Sequence, residues 1–434
     1  DRAWSWSPAG LNGAGGTSAL NPAPIQFDRL MSVDAYNDIT PRFGVAYDVF
    51  GNGKTALKFN MGHYLDAATN DSAYTRNNPA RRIVRSINRS WDDLDGDKVV
   101  DCDLLNFDAH GECRRLTGNS LNFGNVGDGL TQVNQDTLHG WGVRENDWQW
   151  GLTLQQQLLP RVSVEVAYAR RWWRGFTVTD NLNRHPSDYE SWTITAPVDP
   201  RLPDGGGYPI TLWEETEAAA GLPADRYVTF ETDFGPARTD YWHGLDVTFN
   251  ARMRNSLVFS GGTSTGRKVT DDCATTVNID SPDTRNCHDA DPFQTTFRGL
   301  ASYTIPMVDV LVSATMRSEP PLSLSASWRV PNTMVRDLLG RLPAGASARG
   351  NTTVQLTDTE HRLFADNRRT QVDMRFAKVF RFAGTRTDVG VDLWNLFNTN
   401  YTGNVQRNTR GEIGGQERST LHNRSISLRA RFPA

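Results

Sequence analysis

Aspartates recur at regular intervals in WDDLDGDKVVDCD, residues 91–103. Four of them stand at relative positions 1, 3, 5 and 9, the register in which a calcium-binding loop gathers oxygen ligands. Gly96 could supply the tight turn, but the closing glutamate of an EF-hand would fall on Leu104, so that motif is not met. The pattern predicts a structural Ca²⁺ site, and a solvated acidic loop is the alternative. The predicted ligands are Asp93, Asp95, Asp97, Asp101 and Asp103.

The four cysteines form two local pairs, Cys102 with Cys113 and Cys273 with Cys287. Both pairs lie in polar stretches rich in Asp, Asn and Gly, and neither has the C-x-x-C spacing of zinc or redox sites. Two short-range disulfides in an oxidising compartment are therefore favoured over free thiols.

A second acidic region spans residues 271–292, where His288, Asp289 and Asp291 could bind a metal. The looser spacing favours a solvated loop closed by the second disulfide. The sequence contains no G-x-S-x-G, P-loop or H-E-x-x-H motif, so an enzyme is not predicted.

The elements that must position these loops show period-two alternation. In RFGVAYDVF, one face carries Phe43, Val45, Tyr47 and Val49, and a glycine-rich turn leads to a second alternating run. This hairpin recurs four times, and the last alternating run is RSISLRARF. The repeats are DWQWGLTLQQQLLPRVSVEVAYARRW, YWHGLDVTFNARMRNSLVFSGGTST, FRGLASYTIPMVDVLVSATMR and TQVDMRFAKVFRFAGTRTDVGVDLWNLF.

The other face of these runs is polar. Several runs reach ten residues or more, whereas the strands of a soluble sandwich are usually about 5–6 residues long. Long strands with one apolar and one charged face predict an all-β fold, an antiparallel transmembrane β-barrel. The polar-face residues are Ser163, Glu165, Arg171, Asp246, Thr248, Asn250, Gln371, Asp373, Arg375, Asp388 and Asp392.

The connections alternate in length, with turns of two or three residues inside hairpins and long loops between them. This asymmetry is typical of an outer-membrane barrel, whose long loops face the exterior. A weaker alternating stretch at 322–330 predicts a hairpin within one loop. Residues 1–40 read as a loop or linker and 41–434 as barrel, with long loops at 65–145, 175–237, 266–293, 319–368 and 398–418.

The alternating runs give about eleven strands, and the first follows a loop-like segment, so it runs towards the short turns. An odd number cannot close an antiparallel barrel with both ends on the periplasmic side. The count therefore predicts strands 12 to 22 of a 22-stranded barrel.

The composition agrees with a sheet that has one apolar face and one face in water. Hydrophobic residues make up only 38% of the chain, whereas aromatic residues reach 10%. The net charge is −4 and the basic residues are not clustered in the sequence, so nucleic acid is not a predicted partner. No run approaches the roughly 18 apolar residues of a transmembrane helix. The N-terminus has no signal-like segment, so the chain is expected to be mature, truncated or cytosolic.

Aromatic residues cluster where upward strands end. Trp172, Trp173 and Phe176 are interpreted as part of an interfacial girdle rather than as a ligand platform. Three more tryptophans lie in long loops. They could stack on a ligand or pack the loop against its neighbours, and the sequence does not distinguish the two roles. They are Trp141, Trp192 and Trp213.

Several segments resemble a known family. ITPRFGVAYDVFGNGKTALKFNMGHY, residues 39–64, resembles the mid-barrel hairpin of large TonB-dependent outer-membrane receptors, especially the type with an N-terminal carboxypeptidase-regulatory-like domain. Residues 154–172 resemble another hairpin of these barrels. RRTQVDMRFAKVFRF at 368–382 and VGVDLWNLFNTN at 389–400 resemble their last hairpin. The chain ends in ARFPA, with Phe432 close to the usual terminal aromatic position.

The resemblance implies the C-terminal part of an active transporter in the bacterial outer membrane. Its implied partners are membrane lipid, an N-terminal plug with the first half of the barrel, and an energising inner-membrane complex. The ligand would be a scarce siderophore, cobalamin, glycan or peptide. The alternatives are a secreted or surface β-rich binding protein stabilised by calcium and a β-rich calcium-dependent hydrolase.

Overall fold

One antiparallel sheet organises the chain. The computed structural model describes residues 2–7, 10–11, 26–27, 29–67, 72–84, 86–125, 127, 131–253, 256–382, 385–400, 402–406, 416–419 and 425–431. Within them, eleven strands pair in chain order, each with the next. They are β1 (Arg42–Asp48), β2 (Thr55–Leu65), β3 (Asn146–Leu159), β4 (Val162–Arg174), β5 (Thr239–Arg252), β6 (Val258–Asp271), β7 (Gln294–Ile305), β8 (Val310–Glu319), β9 (Arg369–Phe382), β10 (Thr385–Trp394) and β11 (Ser425–Arg431).

The register joins the apolar positions of neighbouring strands into one continuous face, the outer face. Val45 pairs with Phe59, Phe59 with Leu152, Leu152 with Tyr168, and Tyr168 with Leu245. Side chains of directly paired residues point to the same side of a sheet. This face stays uncovered, with Leu152 43% and Leu245 44% exposed. An apolar face of this extent cannot remain in water, so it is suited to lipid.

The opposite side, the inner face, carries all eleven polar residues predicted for it. In the strand register they occupy the positions that alternate with the outer-face residues. Charges on this face pair across strands. Arg375 binds Asp388 at 2.7 Å and Asp392 at 3.1 Å, and Lys58 lies 3.9 Å from Glu165. The all-β barrel-type fold predicted from the alternation is thereby confirmed.

Short turns join the strands at one end of the sheet, the turn end. The described turns span 49–54, 160–161 and 306–309, so two of them exceed the predicted two or three residues, and the connections 253–257 and 383–384 contain residues outside the described part of the chain. The first is longer because the Asp48 carboxylate accepts the Gly53 N–H at 2.7 Å and closes a wider loop. Gly51 and Gly53 adopt φ of 66° and 71° there, which other residues rarely tolerate.

Long connections leave the other end, the loop end, at 66–145, 175–238, 272–293, 320–368 and 395–424. The third begins later than the predicted 266 because β6 keeps pairing with β5 through Asp271. The connections carry short helices, α1 (Ser72–Asn77), α2 (Pro79–Arg82), α3 (Glu217–Ala220), α4 (Cys273–Thr276) and α5 (Asn332–Leu339). Their 3₁₀ turns are Gly118–Asn122, Gln135–Thr137, Pro186–Asp188, Pro203–Gly205, Glu231–Asp233 and Thr284–Asn286. No described helix is long and apolar enough to cross a bilayer.

Small sheets also lie in these connections. Thr177–Asn181 pairs with Arg226–Phe230, which is joined in parallel by Gln132–Val133. The remaining pairs are Tyr189–Thr195 with Pro209–Glu215, Ser323–Leu324 with Leu363–Phe364, Ser327–Pro331 with Asn351–Gln355, Thr402–Gln406 with Gln416–Ser419, and His288–Ala290 with β6.

The segment predicted as a loop or linker at 1–40 contains strands in its described residues. Arg2–Ser7 pairs with Leu30–Asn37, which pairs in parallel with His139–Trp141, and Gly10–Leu11 pairs with Gln26–Phe27. Val33 and Tyr36 on the central strand are buried, 0% and 6% exposed. Residues 12–25 and Phe432 lie outside the described residues.

Among the described residues, the cluster of buried apolar side chains lies in the loops and not in the main sheet. It joins the hairpin 189–215 of one connection to α5 and the hairpin 327–355 of another. The Tyr208 hydroxyl donates to the Leu356 carbonyl at 2.7 Å across these two loops. This loop core consists of Trp192, Ile194, Ala196, Leu202, Tyr208, Ile210, Val330, Val335, Val354 and Leu356.

Leu356→Ala is expected to destabilise the loop core by about 2–5 kcal/mol, since Leu356 is 0% exposed and its removal leaves a cavity. Amide hydrogen exchange should accelerate in both hairpins and stay unchanged in β5 and β6. Leu338→Ala is the matched control, because Leu338 lies on α5 and is 47% exposed. Acceleration confined to residues 351–355 would mean that the two loops do not share a core.

Candidate functional site

The aspartate-rich stretch lies in the connection 66–145, and a cross-link holds it in place. Cys102 and Cys113 form a disulfide with their Cα atoms 5.9 Å apart, as predicted. Trp91 bridges to Cys113 as a short antiparallel contact. Arg114 binds Asp92 at 2.6 Å. These contacts fold residues 91–114 into one closed loop, here called the acidic loop.

Backbone amides orient the carboxylates of the acidic loop. Asp93 accepts the Gly96 N–H at 2.7 Å, Asp95 accepts the Asp97 N–H at 3.1 Å, and Asp97 accepts the Val99 N–H at 2.7 Å. Gly96 has a φ of 85°, which allows the chain to reverse here. The aspartates are thereby wrapped around the inside of a tight turn.

Two groups of carboxylates are close enough to share a cation. Oxygens of Asp93, Asp95 and Glu112 lie within 4.8 Å of one another, as do oxygens of Asp95, Asp97 and Asp101. Asp95 belongs to both groups. Carboxylate oxygens in such numbers are the ligands that Ca²⁺ prefers.

Glu112 was not among the predicted ligands, and it is the buried member of its group, 6% exposed. Its carboxylate accepts the Leu94 N–H at 2.7 Å and the Asp101 N–H at 3.1 Å. The Cys102–Cys113 disulfide brings it there, because cross-linking these cysteines places the preceding residues side by side. The predicted pairing was therefore the sequence signal that could have found it.

Asp103 has a different position from the other predicted ligands. Its carboxylate accepts the Leu105 N–H at 2.9 Å, and its own N–H donates to His110 Nε2 at 2.9 Å. It belongs to neither carboxylate group among the described residues. Among the described residues, Glu112 therefore joins one of the carboxylate groups and Asp103 does not.

Electrostatic crowding is evident within the acidic loop. The Asp97 carboxylate, followed by partial desolvation, Asp95 and Glu112, raises the pKa of Asp101. Asp92 differs, because its hydrogen bond with Arg114 lowers its pKa. Repulsion of this kind is relieved by a bound cation or by protonation.

The second acidic region is organised by an arginine. Arg362 binds both Asp289 and Asp291, the latter at 2.9 Å, and His288 Nδ1 lies 2.9 Å from Asp271. Cys273 and Cys287 form the second predicted disulfide. The carboxylates here are engaged by a cation of the protein itself, which favours the solvated-loop interpretation.

The paired tryptophans at the end of β4 face opposite sides of the sheet. Trp172 pairs with Trp148 and Tyr241 on the outer face, as a girdle residue should. Trp173 lies on the inner face instead, 4.7 Å from the Arg171 guanidinium and 5.1 Å from the Lys268 ammonium. Successive residues of a strand alternate in direction, so one girdle cannot hold both.

The loop aromatics also separate by environment. Trp192 is buried in the loop core, 4% exposed, whereas Trp141 is 70% exposed. Trp213 pairs with Ser191 in the hairpin beside the core. Phe176 packs against the Arg238 guanidinium, 3.5 Å from its ring centre. Loop packing accounts for Trp192, and Trp141 is open to solvent.

Comparison with solved structures finds an outer membrane transporter, YddB from Escherichia coli, at 9% identity and a TM-score of 0.42. The alignment covers 90% of this chain and 40% of that one, so the chain spans about two fifths of its length. A search of curated proteins found no match. The family model described as outer membrane beta barrel domain matches residues 7–314, from the N-terminal segment into β8. The chain therefore belongs to the outer membrane beta barrel domain family and resides in the bacterial outer membrane.

Proposed function

We propose that the chain is the C-terminal half of the barrel of a TonB-dependent receptor, which takes up a scarce ligand with energy from an inner-membrane complex. The observation that carries the proposal is an eleven-strand sheet with an apolar outer face and a charged inner face. Membership of the outer membrane beta barrel domain family is consistent with a barrel that spans the outer membrane. The quoted motifs at 39–64 and 368–400 support the receptor type.

The direction of the strands supports the proposal that further strands complete the barrel. β1 and β11 both run from the loop end to the turn end, because nine alternating strands separate them. If they met directly they would be parallel, which an all-antiparallel barrel does not allow. An odd number of further strands is required, and eleven would complete a 22-stranded barrel. The edge strand β1 has exposed side chains at Phe43 (62%) and Tyr47 (63%), where those strands would dock.

The loops support a role in ligand capture at the cell surface. The loop core joins the connections 175–238 and 320–368, and Arg341 adds an ion pair to Glu190 at 3.0 Å between them. The connection 272–293, which the Cys273–Cys287 disulfide closes, also contacts them, because Arg285 donates to the Gln355 carbonyl at 3.1 Å. A co-folded surface of this kind is pre-organised for binding.

The alternatives are less well supported. A secreted binding protein would leave the outer face, including Leu152 and Leu245, uncovered in water. A calcium-dependent hydrolase would need a poised acid and base in a cleft. The acidic loop instead holds its carboxylates on backbone amides in an exposed position.

A strain lacking this protein is expected to grow poorly when one scarce nutrient is limiting, because energised uptake would stop. The measurement is competitive growth across iron, cobalamin, glycan and peptide limitation. Loss of the inner-membrane energising complex should give the same defect, and the double mutant should be no worse. Equal uptake with and without that complex would identify a passive pore and contradict the proposal.

We also propose that the acidic loop binds Ca²⁺ in a structural role. Asp95 is the central ligand because it belongs to both carboxylate groups, and Glu112 is the buried one. A bound ion would offset the repulsion that raises the pKa of Asp101 and would stiffen a loop already closed by a disulfide.

Added Ca²⁺ should slow amide exchange and proteolysis within residues 86–114. Extracellular calcium modules bind with Kd of about 10⁻⁴–10⁻³ M, so 10 mM Ca²⁺ should stabilise the loop by about 1.4–2.7 kcal/mol. Asp95→Asn is expected to abolish the protection. Asp108→Asn is the matched control, because the Asp108 carboxylate makes an exposed ion pair with Arg115 at 3.6 Å and belongs to neither carboxylate group among the described residues. Protection that is equal in EGTA and Ca²⁺ would reject the site.

A further inference from the structure

A cavity of about 780 Å³ opens on the inner face near the loop end, across β1 to β6. Its size is that of a site for a small organic molecule. It lies apart from the acidic loop and from the loop core. Its lining combines small residues, amides, cations and aromatic rings.

A row of mostly small residues created by the strand register runs beneath the cavity, and Gly44, Asn60, Gly151 and Ala169 of this row line it. Directly paired positions on six successive strands form this row. They are Gly44, Asn60, Gly151, Ala169, Gly244 and Gly266. Because five of the six have no side chain beyond Cβ, the wall is recessed here into a trough that runs across the strands.

Trp242 closes one end of the trough. Its ring lies flat on the wall, since a Cβ at Gly244 or Gly266 would come within 2.6 or 2.5 Å of the indole. Only glycine at both positions permits this orientation. The other face of the indole is left towards the cavity as a stacking surface, which suits a flat ring.

Arg42 stands at the opposite end, on β1. Its guanidinium lies 4.8 Å over the ring of Tyr64, which itself lies flat over Gly62. Other cations of the rim are neutralised, Arg171 by Asp147 at 2.6 Å and Lys268 by Asp240 at 3.2 Å. Within the described part of the chain, no carboxylate lies within 4 Å of Arg42. Its charge is therefore available to an anion.

Asn60 lies between the two ends. Its side-chain oxygen crosses Gly151, where an added Cβ would approach it to 2.7 Å. No hydrogen-bond partner of this amide occurs among the described residues. It offers a donor and an acceptor to a ligand lying along the floor.

We propose that this trough binds an elongated organic acid whose rings each have an apolar face that can stack on an indole. The acid group pairs with Arg42, a ring stacks on Trp242, and Asn60 bonds polar groups between them. β1 and β5 are four strand spacings apart, about 19 Å between backbones, so the ligand must be two or three rings long. Sugar acids and aromatic acids share this chemistry. The inference rests on the proposed function, since it assigns a ligand class to the inner wall of a receptor.

Binding is measured by calorimetry with the protein purified from outer membranes in detergent. The probes are trigalacturonate and biphenyl-4-carboxylate, each compared with a neutral counterpart, galactotriose and biphenyl-4-carboxamide. At least one acid should bind. The affinity of its neutral counterpart should be lower by about tenfold or more. The acid that binds identifies the source as a sugar or an aromatic compound.

Arg42→Gln should weaken binding of that acid about tenfold or more, and Trp242→Leu should also weaken it. Arg267→Gln is the matched control, because Arg267 stacks on Phe293 at 4.7 Å but on the outer face and outside the cavity, and it should leave binding unchanged. Heat-modifiable gel migration verifies that each variant is folded.

Absence of binding by both acids would overturn the inference, as would equal losses in Arg42→Gln and Arg267→Gln. Equal affinity for an acid and its neutral counterpart would also overturn it. The growth experiment remains independent, because an energy-dependent uptake defect without acid binding would reject the trough and leave the receptor function standing.

Discussion

Backbone hydrogen bonding between neighbouring strands is the constraint on which the rest of the structure depends. In the hydrocarbon of a membrane no water can satisfy an N–H or C=O, so every strand must pair on both sides. Pairing fixes the register, and register sends alternate side chains to opposite faces. From this one requirement follow the outer stripe through Val45, Phe59 and Leu152, and the inner ion pairs of Arg375 and Lys58. It also produces the trough, since glycines on separate strands are aligned only by the register.

The loops follow a different rule, because they emerge into water and can bury apolar side chains. Their core joins segments more than a hundred residues apart, with Ile210 and Leu356 almost fully buried. Disulfides close segments within two of the connections, Cys102 to Cys113 in 66–145 and Cys273 to Cys287 in 272–293. Stability in this protein is thus divided between a wall held by strand pairing and a loop module held by hydrophobic packing.

Much of the wall could be predicted from sequence because alternation is a local signal. Residues such as Phe43, Val45 and Tyr47 alternate within one run, and the eleven strands appear where such runs were found. Both cysteine pairs could be predicted because their partners are near in sequence. Glu112 could not, since a single glutamate becomes a candidate ligand only once the disulfide places it beside Asp101. The loop core was missed for the same reason, because Val330 and Ile210 meet only through long-range folding, although the hairpin containing Val330 was predicted. Turn lengths were underestimated where side chains such as Asp48 extend the loop.

The central claim is that one face of the sheet meets lipid and the other meets water. Spin labels at Val247→Cys and Asp246→Cys test it most directly, because these neighbours on β5 point to opposite faces. In reconstituted bilayers the label at 247 should collide mainly with dissolved oxygen, and the label at 246 with a water-soluble nickel chelate. If both labels meet the nickel chelate equally, the sheet does not form a membrane wall and the account is contradicted.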